Sequence, residues 1–575
     1  MERRYHQRRL NMWPKVPLKV IVMPHSHNDP GWLKTYEGYF HASTKLILDN
    51  AVDKLTKYSN MTFIWTEISF LSMWWESAHP ARKQNLKKLV TEGRFEILTG
   101  GWVMTDEANV NLFAMVDQLV EGHQWILDTF GFKPKSSWSV DPFGHGSAFP
   151  YLLKSSGVDG MVIMRIHYAW KEWFAKEQSG DFMWRQVWDS KGKDAILCHN
   201  FPYDIYSIKG SCGPQAQTCL QFNFAVQPGS YSEYSGRTVP VTKSNIQDRS
   251  ETILEQWGKT GSLFPHNVVL VPLGDDFTYT NDAEWDQQYS NYNQIIEYIN
   301  NNGYNAQVQW GTLSDYFTAV HSRIARFDNL VGDFFVYSDV FSEGVPAYWS
   351  GYYSTRPYMK KLSRELESSL RSAEIFYTWA LNLARRVQNT AAISALEAVY
   401  PGIVKARRNL ALFQHHDAIT GTAKAFVTHD YGEKLFDGII GTRNAMKTSA
   451  QYILLQDRSL FQRKFLESDY ERPDYGSREK PLALDVKNGA QILVVLNSHA
   501  QDVDEMVSFF VENLDSRKNL CVRDPQGRVL PVQFSPTWTT EGFIRLEKSF
   551  LEVSFLARLP ALSVSKFTVH LCNDK

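Results

Sequence analysis

The stretch Val20–Trp32, VIVMPHSHNDPGW, joins a short apolar run to a polar, turn-rich one. Val20–Met23 is made of large and β-branched apolar residues, as a strand buried on both faces would be, and Pro24, Pro30 and Gly31 mark where it must stop. A strand of that kind belongs to a sheet with helices on its faces. His25, His27 and Asp29 follow at spacings of two. If the backbone stays extended past Met23, that period places all three side chains on one side of the strand end. In open α/β sheets the carboxyl ends of strands are where ligands bind. Imidazole and carboxylate so close together can share one divalent cation, zinc being the usual taker of mixed nitrogen and oxygen ligands. A polar turn with a helix-capping aspartate is the alternative.

Working outward, strand-like runs alternate with helical ones from Leu18 to about Asp328. The predicted strands are Thr62–Thr66, Phe95–Thr99, Ser137–Val140, Met161–Arg165, Ala195–His199 and Val268–Pro272. Amphipathic stretches such as His41–Tyr58, Lys83–Thr91, Leu112–Asp128 and Asp286–Asn300 lie between several of them. That alternation predicts an α/β domain over 15–335, a mostly parallel sheet flanked by helices. The Gly-, Pro-, Ser- and Tyr-rich crossing Phe201–Gln247 reads as loop over the functional rim. Near Pro357 the period becomes helical, over Pro357–Arg386, Ala391–Gln414 and Glu433–Gln456, with interruptions at Pro401-Gly402 and Gly421. These predict a three-helix bundle over 350–465 that contributes to the site. Short alternating runs then take over from Gln491 to Leu571, with Asp524-Pro-Gln-Gly527 as a turn between two of them. They predict the start of an all-β, sandwich-like domain over 482–575, truncated because a sandwich usually needs more strands.

A chain of 575 residues with net charge −1 offers no basic surface for nucleic acid or an anionic membrane. Aromatic residues make up 14%, with 18 Trp, and flat rings cover the apolar C–H faces of sugars well; large cores also use aromatics. No apolar run approaches the roughly 20 residues of a membrane helix. The basic start, MERRYHQRRLNMWPK, has no signal-peptide core. Two features nevertheless suit the secretory pathway. Asn60-Met61-Thr62 is a glycosylation acceptor, and Cys212 and Cys219 bracket a loop that a disulfide could close, although five cysteines leave at least one thiol unpaired. A luminal protein without its N-terminal anchor is one reading of that combination.

Further along, Asp141 ends SSWSVD before Pro142 and Gly144, at the rim predicted to carry His27 and Asp29. Asp275 and Asp276 end VVLVPLGDDF in the same manner. Adjacent carboxylates repel, so one of the pair tends to gain a raised pKa and can act as a proton donor. Each of these aspartates could instead cap a helix or turn. His415, His416 and Asp417 fall on the predicted second bundle helix, where successive side chains point about 100° apart. On a helix, one or two of the three face a common site.

Five segments then fall into one order: HSHNDPGW, SVDPFGH, PLGDDF, YWSGYYSTRP and LFQHHDAITGT. They resemble the motifs of the α-mannosidases of glycoside hydrolase family 38, and the N-D-P-G-W form of the first is similar to the family's Golgi branch. The resemblance runs from about Leu18 to Leu455. It implies one zinc ion per chain, held by His27, Asp29, Asp141 and His416, with Asp141 also the nucleophile and Asp276 the general acid/base. It further implies that Trp32 and Phe143 pack against the sugar, that Asp417 binds its hydroxyls, and that Arg165, Tyr206 and Asp275 support the charged site. Cys212 and Cys219 match a family disulfide, which favours the luminal reading. The chain departs from the pattern in the segment FSEGVPA before Tyr348, longer than usual, and in Ser207, where an acidic residue often follows the tyrosine.

The resulting expectation is a Golgi-luminal, zinc-dependent, retaining exo-α-mannosidase. Its partner would be the N-linked oligosaccharide of glycoproteins, from which it trims α1,3- and α1,6-linked mannose; membrane contact would come only through an N-terminal anchor that this chain lacks. Two alternatives remain. The same ligands could serve a zinc-hydroxide hydrolase such as a sugar deacetylase, for which the Asp275-Asp276 pair has no clear task. The shortened chain could also be an inactive mannose binder.

Overall fold

The computed structural model describes residues 16–226, 237–339, 346–455, 457–458, 461, 465–512, 520–539 and 543–572. The basic start and most of the long segment before Tyr348 lie outside the described residues. The chain forms two compact units, one of Met1–Lys360 with Leu410–Tyr431, the other of Lys361–Asn409 with Gly432–Lys575.

In the first unit the apolar run becomes strand β1, Leu18–Pro24, buried along its length except at Lys19. Full burial of a Val, Ile or Met side chain stabilises by roughly 1.5–3 kcal/mol, so β1 is fixed by its faces more than by its ends. Nine further strands belong to the sheet region, and all but β6, β9 and β10 were expected. They are β2 (Phe63–Trp65), β3 (Phe95–Ile97), β4 (Ser136–Ser139), β5 (Gly160–Ile163), β6 (Asp181–Arg185), β7 (Ile196–Asn200), β8 (Val268–Leu273) and β9 (Ala306–Trp310), and β10 (Asp328–Val331) closes the series. β1 lies between β8 and β9, parallel to both. A second sheet runs β10-β6-β7-β5-β4, and β2 pairs with β3. All pairings here are parallel except β6 with β7, so the sheet is mostly parallel, as the alternation predicts. Backbone bonds from Leu98 to Trp65 (2.8 Å) and from Thr99 to Ser136 (2.9 Å) carry the pairing from β2 and β3 onto β4.

Helices cover both faces. Val162 of β5 and Leu197 of β7 join a core with Tyr316 and Phe317 of the helix Leu313–His321. Their neighbours Met161, Ile163, Ile196 and Cys198 point the other way, into a core with Phe149 and Phe174 of the helices Ala148–Ser156 and Tyr168–Glu177. That is the period-two alternation of a strand buried on both sides. The expected loop Phe201–Gln247 contains two short helices, Ile208–Ser211 and Ala216–Leu220, tied by the Cys212–Cys219 disulfide.

The three long helices are Pro357–Arg386, Thr390–Phe413 and Ala425–Leu454. The expected break at Pro401-Gly402 does not occur; the second helix runs through Pro401. A proline removes one backbone donor. Packing supplies the compensation: a Cβ on Gly402 would stand 3.3 Å from the Cα of Gly441 on the third helix, a backbone approach that only glycine permits so closely. Beyond them two four-stranded sheets face each other around Val486, Phe509, Val553, Phe555, Phe567 and Val569. The strand count is raised by Ala483–Leu484, too short a piece to read from pattern, and by the division of the run from Val529 into two strands, Val529–Leu530 and Val532–Thr539.

Gly274 shows how tightly the rim is built, since a Cβ there would lie 1.8 Å from the carbonyl oxygen of His25. Gly274→Ala is therefore expected to destabilise by about 3 kcal/mol or more, because backbone rather than a movable side chain blocks it. Urea unfolding followed by circular dichroism measures this, and an unchanged midpoint would refute the close approach.

Candidate active site

Pairing between β1 and β8 continues past their regular ends. The His25 amide donates to Leu273 (3.1 Å), His27 to Asp275 (3.2 Å), and Phe277 back to His27 (2.9 Å), which sets His27 beside Asp276 as a parallel bridge. One strand end thus delivers His27 and Asp29, and its neighbour delivers Asp275 and Asp276. Asp141 arrives from the loop after β4. That loop is braced by Glu107, whose carboxylate accepts from the Gly146 amide (2.9 Å) and the Ser139 hydroxyl (3.0 Å) and pairs with His145 Nδ1 (2.9 Å).

His416 completes the group, by a route that the sequence pattern does not predict. The helix ends at Phe413, and His415, His416 and Asp417 stand in the turns that follow. His415 forms a bridge with Thr105, and the Asp106 amide donates to Gln414 (2.8 Å). Off the helix, the 100° rotation no longer separates the three side chains. His415, His416 and Asp417 all gather round Asp29.

The ligand atoms of His27, Asp29, Asp141 and His416 lie within 4.8 Å of one another, and all four residues are buried. His27 Nε2 is 2.9 Å from Asp29 Oδ1 and 3.5 Å from Asp141 Oδ2. His416 Nε2 is 3.2 Å from the same Asp29 oxygen and 2.9 Å from the same Asp141 oxygen. Two imidazoles and two carboxylates converging on one point form a donor set suited to zinc. His416 Nδ1 bonds to the Met104 carbonyl at 2.8 Å, which fixes the tautomer and aims Nε2 inward, as ligating histidines require. A metal held here draws on four side chains that are already converged, so the residues fit the group.

Asp141 is also gripped from its other oxygen. Arg165 donates to Oδ1 through Nε (2.8 Å) and Nη2, and its Nη1 reaches the Tyr337 hydroxyl at 3.3 Å. Burial alone would favour the neutral acid, but the Arg165 guanidinium and the two imidazoles outweigh it and hold the Asp141 carboxyl well below the usual carboxylate range. Asp276 behaves oppositely. Burial, against the attraction of His27 and with the push of Asp29, Asp141 and Asp275, raises it to about 7. Solvent does reach Asp276, which weakens the first of these forces; the three carboxylates still act in the same upward direction. The Tyr206 hydroxyl donates to Asp276 Oδ1 at 2.6 Å.

Of the other residues singled out in the sequence, Phe143 is buried against Trp349 (ring centroids 5.0 Å apart), Tyr352 and His416. Asp417 accepts from Thr422 (2.6 Å) and lies 3.6 Å from His415 Nε2. Asp275 accepts from the Asp276 amide at 2.9 Å, so it orients its neighbour. Trp32 is half-buried, and its carbonyl accepts from Lys424 at 3.0 Å. His25 departs from the expected alignment: its Nε2 bonds to the Tyr206 carbonyl at 3.2 Å, and it lies outside the four-ligand group. A second disulfide, Cys521–Cys572, joins residues too far apart for spacing to suggest a pair, and Cys198 is the buried free thiol. Met104, Glu107 and Tyr337 were not legible as site residues. Met104 acts through its carbonyl, and the other two act through partners distant in sequence.

The profile of the glycosyl hydrolases family 38 N-terminal domain matches residues 17–340, and that of the α-mannosidase middle domain matches 347–453. "Alpha-mannosidase 2" of Spodoptera frugiperda is 47% identical over 95% of this chain, and that of Homo sapiens 40% identical over 97%. The chain spans about half of these relatives, 49% of each. Among solved structures, an α-mannosidase from Enterococcus faecalis superposes with a TM-score of 0.62 over 97% of this chain and 57% of its own, at 14% identity.

Proposed function

The chain belongs to family 38 of the glycosyl hydrolases, and from that membership we propose that it is a zinc-dependent, retaining exo-α-mannosidase. The observation that carries the reading is Asp141, one oxygen of which accepts from Arg165 while the other faces the imidazoles of the converged ligand set, with Asp276 at the same rim. The first carboxyl is kept ionised and the second tends to stay protonated. Retaining glycosidases divide their work in that way, with carboxyl groups about 5–5.5 Å apart.

In this mechanism Asp141 attacks the anomeric carbon while Asp276 gives its proton to the departing oxygen. A glycosyl ester on Asp141 results. Asp276, now a carboxylate, takes a proton from water as that water attacks the same carbon, and Asp141 leaves with overall retention. Tyr206 holds Asp276 in place by its hydrogen bond, and Arg165 orients Asp141. When bound by His27, Asp29, Asp141 and His416, zinc supplies a Lewis acid for the sugar hydroxyls. Phe143 and Trp32 are assigned to the apolar face of the mannose, and Asp417 to its hydroxyls.

The substrate we assign is α1,3- and α1,6-linked mannose of N-glycans, in the Golgi lumen. Two disulfides suit an oxidising compartment, and Asn60 of the glycosylation acceptor is exposed. Among the described residues no helix is long and apolar enough to cross a membrane.

Hydrolysis of aryl α-mannosides with zinc present tests the reading. Asp276→Asn is expected to lower kcat/KM by about 10²- to 10⁴-fold, and least for the best leaving groups, which need little protonation. Proton NMR of the first-formed anomer should show α-mannose. A β-product, or equal loss for all leaving groups, would remove Asp276 and retention from the mechanism.

A further inference from the structure

Beside the Asp141 site lies a separate cavity of about 420 Å³, lined by His167, Trp170, Phe334, Phe335, Val336 and Tyr348, with Ala169. Three chain segments build it, and each also serves the site. Arg165, two residues before His167, holds Asp141. Tyr337, next to Val336, accepts from Arg165 at 3.3 Å. Trp349, next to Tyr348, packs on Phe143 and lies 5.2 Å from the Arg165 guanidinium. Offsets of one or two residues correspond to roughly 4–7 Å of chain, so the cavity adjoins the site without being part of it.

Its chemistry is specific. Among the described residues the lining carries no Lys, Arg, Asp or Glu to hold a phosphate or a carboxylated sugar. What it offers is aromatic surface left open to solvent: Tyr348 is 64% exposed and Trp170 39%. The Trp170 ring is held by Phe174 and Phe334, each at 5.6 Å between centroids, so it is a fixed platform. His167 Nε2 and the Tyr348 hydroxyl, 3.3 Å apart, form a polar pair at the rim. Flat apolar walls with a few polar groups at the edge suit a neutral pyranose, which has a C–H face and a rim of hydroxyls.

We propose that this cavity binds a second pyranose of the same neutral oligosaccharide whose terminal mannose reaches Asp141. The inference rests on the glycosidase reading and adds to it a glycan-reading subsite separate from the reacting sugar. Tyr348 and Trp170 are the residues that would confer preference for branched glycans over simple mannosides.

The test compares 4-nitrophenyl α-mannoside with a branched α1,3/α1,6-mannopentaose as substrates of the zinc-loaded chain. Trp170→Ala and Tyr348→Ala should lower kcat/KM for the pentasaccharide about 3- to 10-fold, mainly through KM, and leave the aryl mannoside unchanged. Tyr348→Phe, which keeps the ring, should retain most of the pentasaccharide activity. Equal losses on both substrates, or no loss on either, would overturn the subsite. Should the wild-type chain hydrolyse neither substrate, the glycosidase reading fails. Saturation-transfer NMR with the pentasaccharide then decides the subsite alone: sugar contacts that disappear in Tyr348→Ala uphold it, and contacts that persist unchanged refute it. Tyr348 is largely exposed, so its variant folds even if the loss of Trp170 loosens the core beneath.

Discussion

Asp141→Asn is expected to lower kcat/KM for an aryl α-mannoside on the order of 10³-fold or more. It removes the attacking oxygen anion, an interaction that matters chiefly in the transition state, so kcat should carry the loss. A thousandfold corresponds to about 4 kcal/mol of barrier. Asparagine keeps the shape and one carbonyl acceptor for Arg165, but it leaves that buried guanidinium without a counter-charge. Breaking a buried ion pair costs about 3–5 kcal/mol when a partner is removed outright, and the amide should recover part of that. A melting curve must therefore accompany the assay. A variant that is folded and inactive supports Asp141 as nucleophile. Retained turnover in a folded variant would exclude it, and turnover retained only with an activated donor such as α-mannosyl fluoride would point to a different slow step.

How much of this was written in the sequence follows from the range of the forces involved. β1 and β8 were legible because a strand buried on both faces needs consecutive apolar residues, a signal local to four or five positions. Asp141, Asp275 and Asp276 were legible as strand-end carboxylates by the same logic. β6, β9 and β10 were missed because DFMWR, AQVQW and DNLV mix polar and apolar residues, the first lying against an antiparallel neighbour and the other two at sheet edges. The placement of His415, His416 and Asp417 was misjudged for a clearer reason. Helical periodicity runs up to Phe413, and nothing before Gly421 announces the end, because the stop is imposed from outside by the bridge between His415 and Thr105. A residue more than 300 positions away decides whether three adjacent side chains diverge or converge. The bracing of the site by Met104 and Glu107 is of the same type, and the motifs alone do not contain it.

Removal of the cation should have the second large effect. With no metal, Asp29 and Asp141 are two buried carboxylates within reach of each other, and the imidazoles of His27 and His416 are the groups that neutralise them. Burial resists charging His416, but its bonds to Asp141 and Asp29 prevail and push it up to about 10. A ligating imidazole must be neutral, so cation binding has to displace protons, and affinity must rise with pH across the neutral range. Dialysis against a chelator is therefore expected to abolish mannoside hydrolysis and to lower the melting temperature. Zinc at 100 times its dissociation constant should restore about 2.7 kcal/mol of stability. Proton release on adding zinc, followed with an indicator dye in weak buffer, reports binding independently of catalysis. His416→Gln should weaken zinc binding and reduce that release while leaving the strand framework in place, because its ring lies in a turn outside the sheet. If chelated protein keeps its activity and its melting temperature, the convergence of these four side chains serves a hydrogen-bonded network, and the carboxylates at the rim must act without a metal.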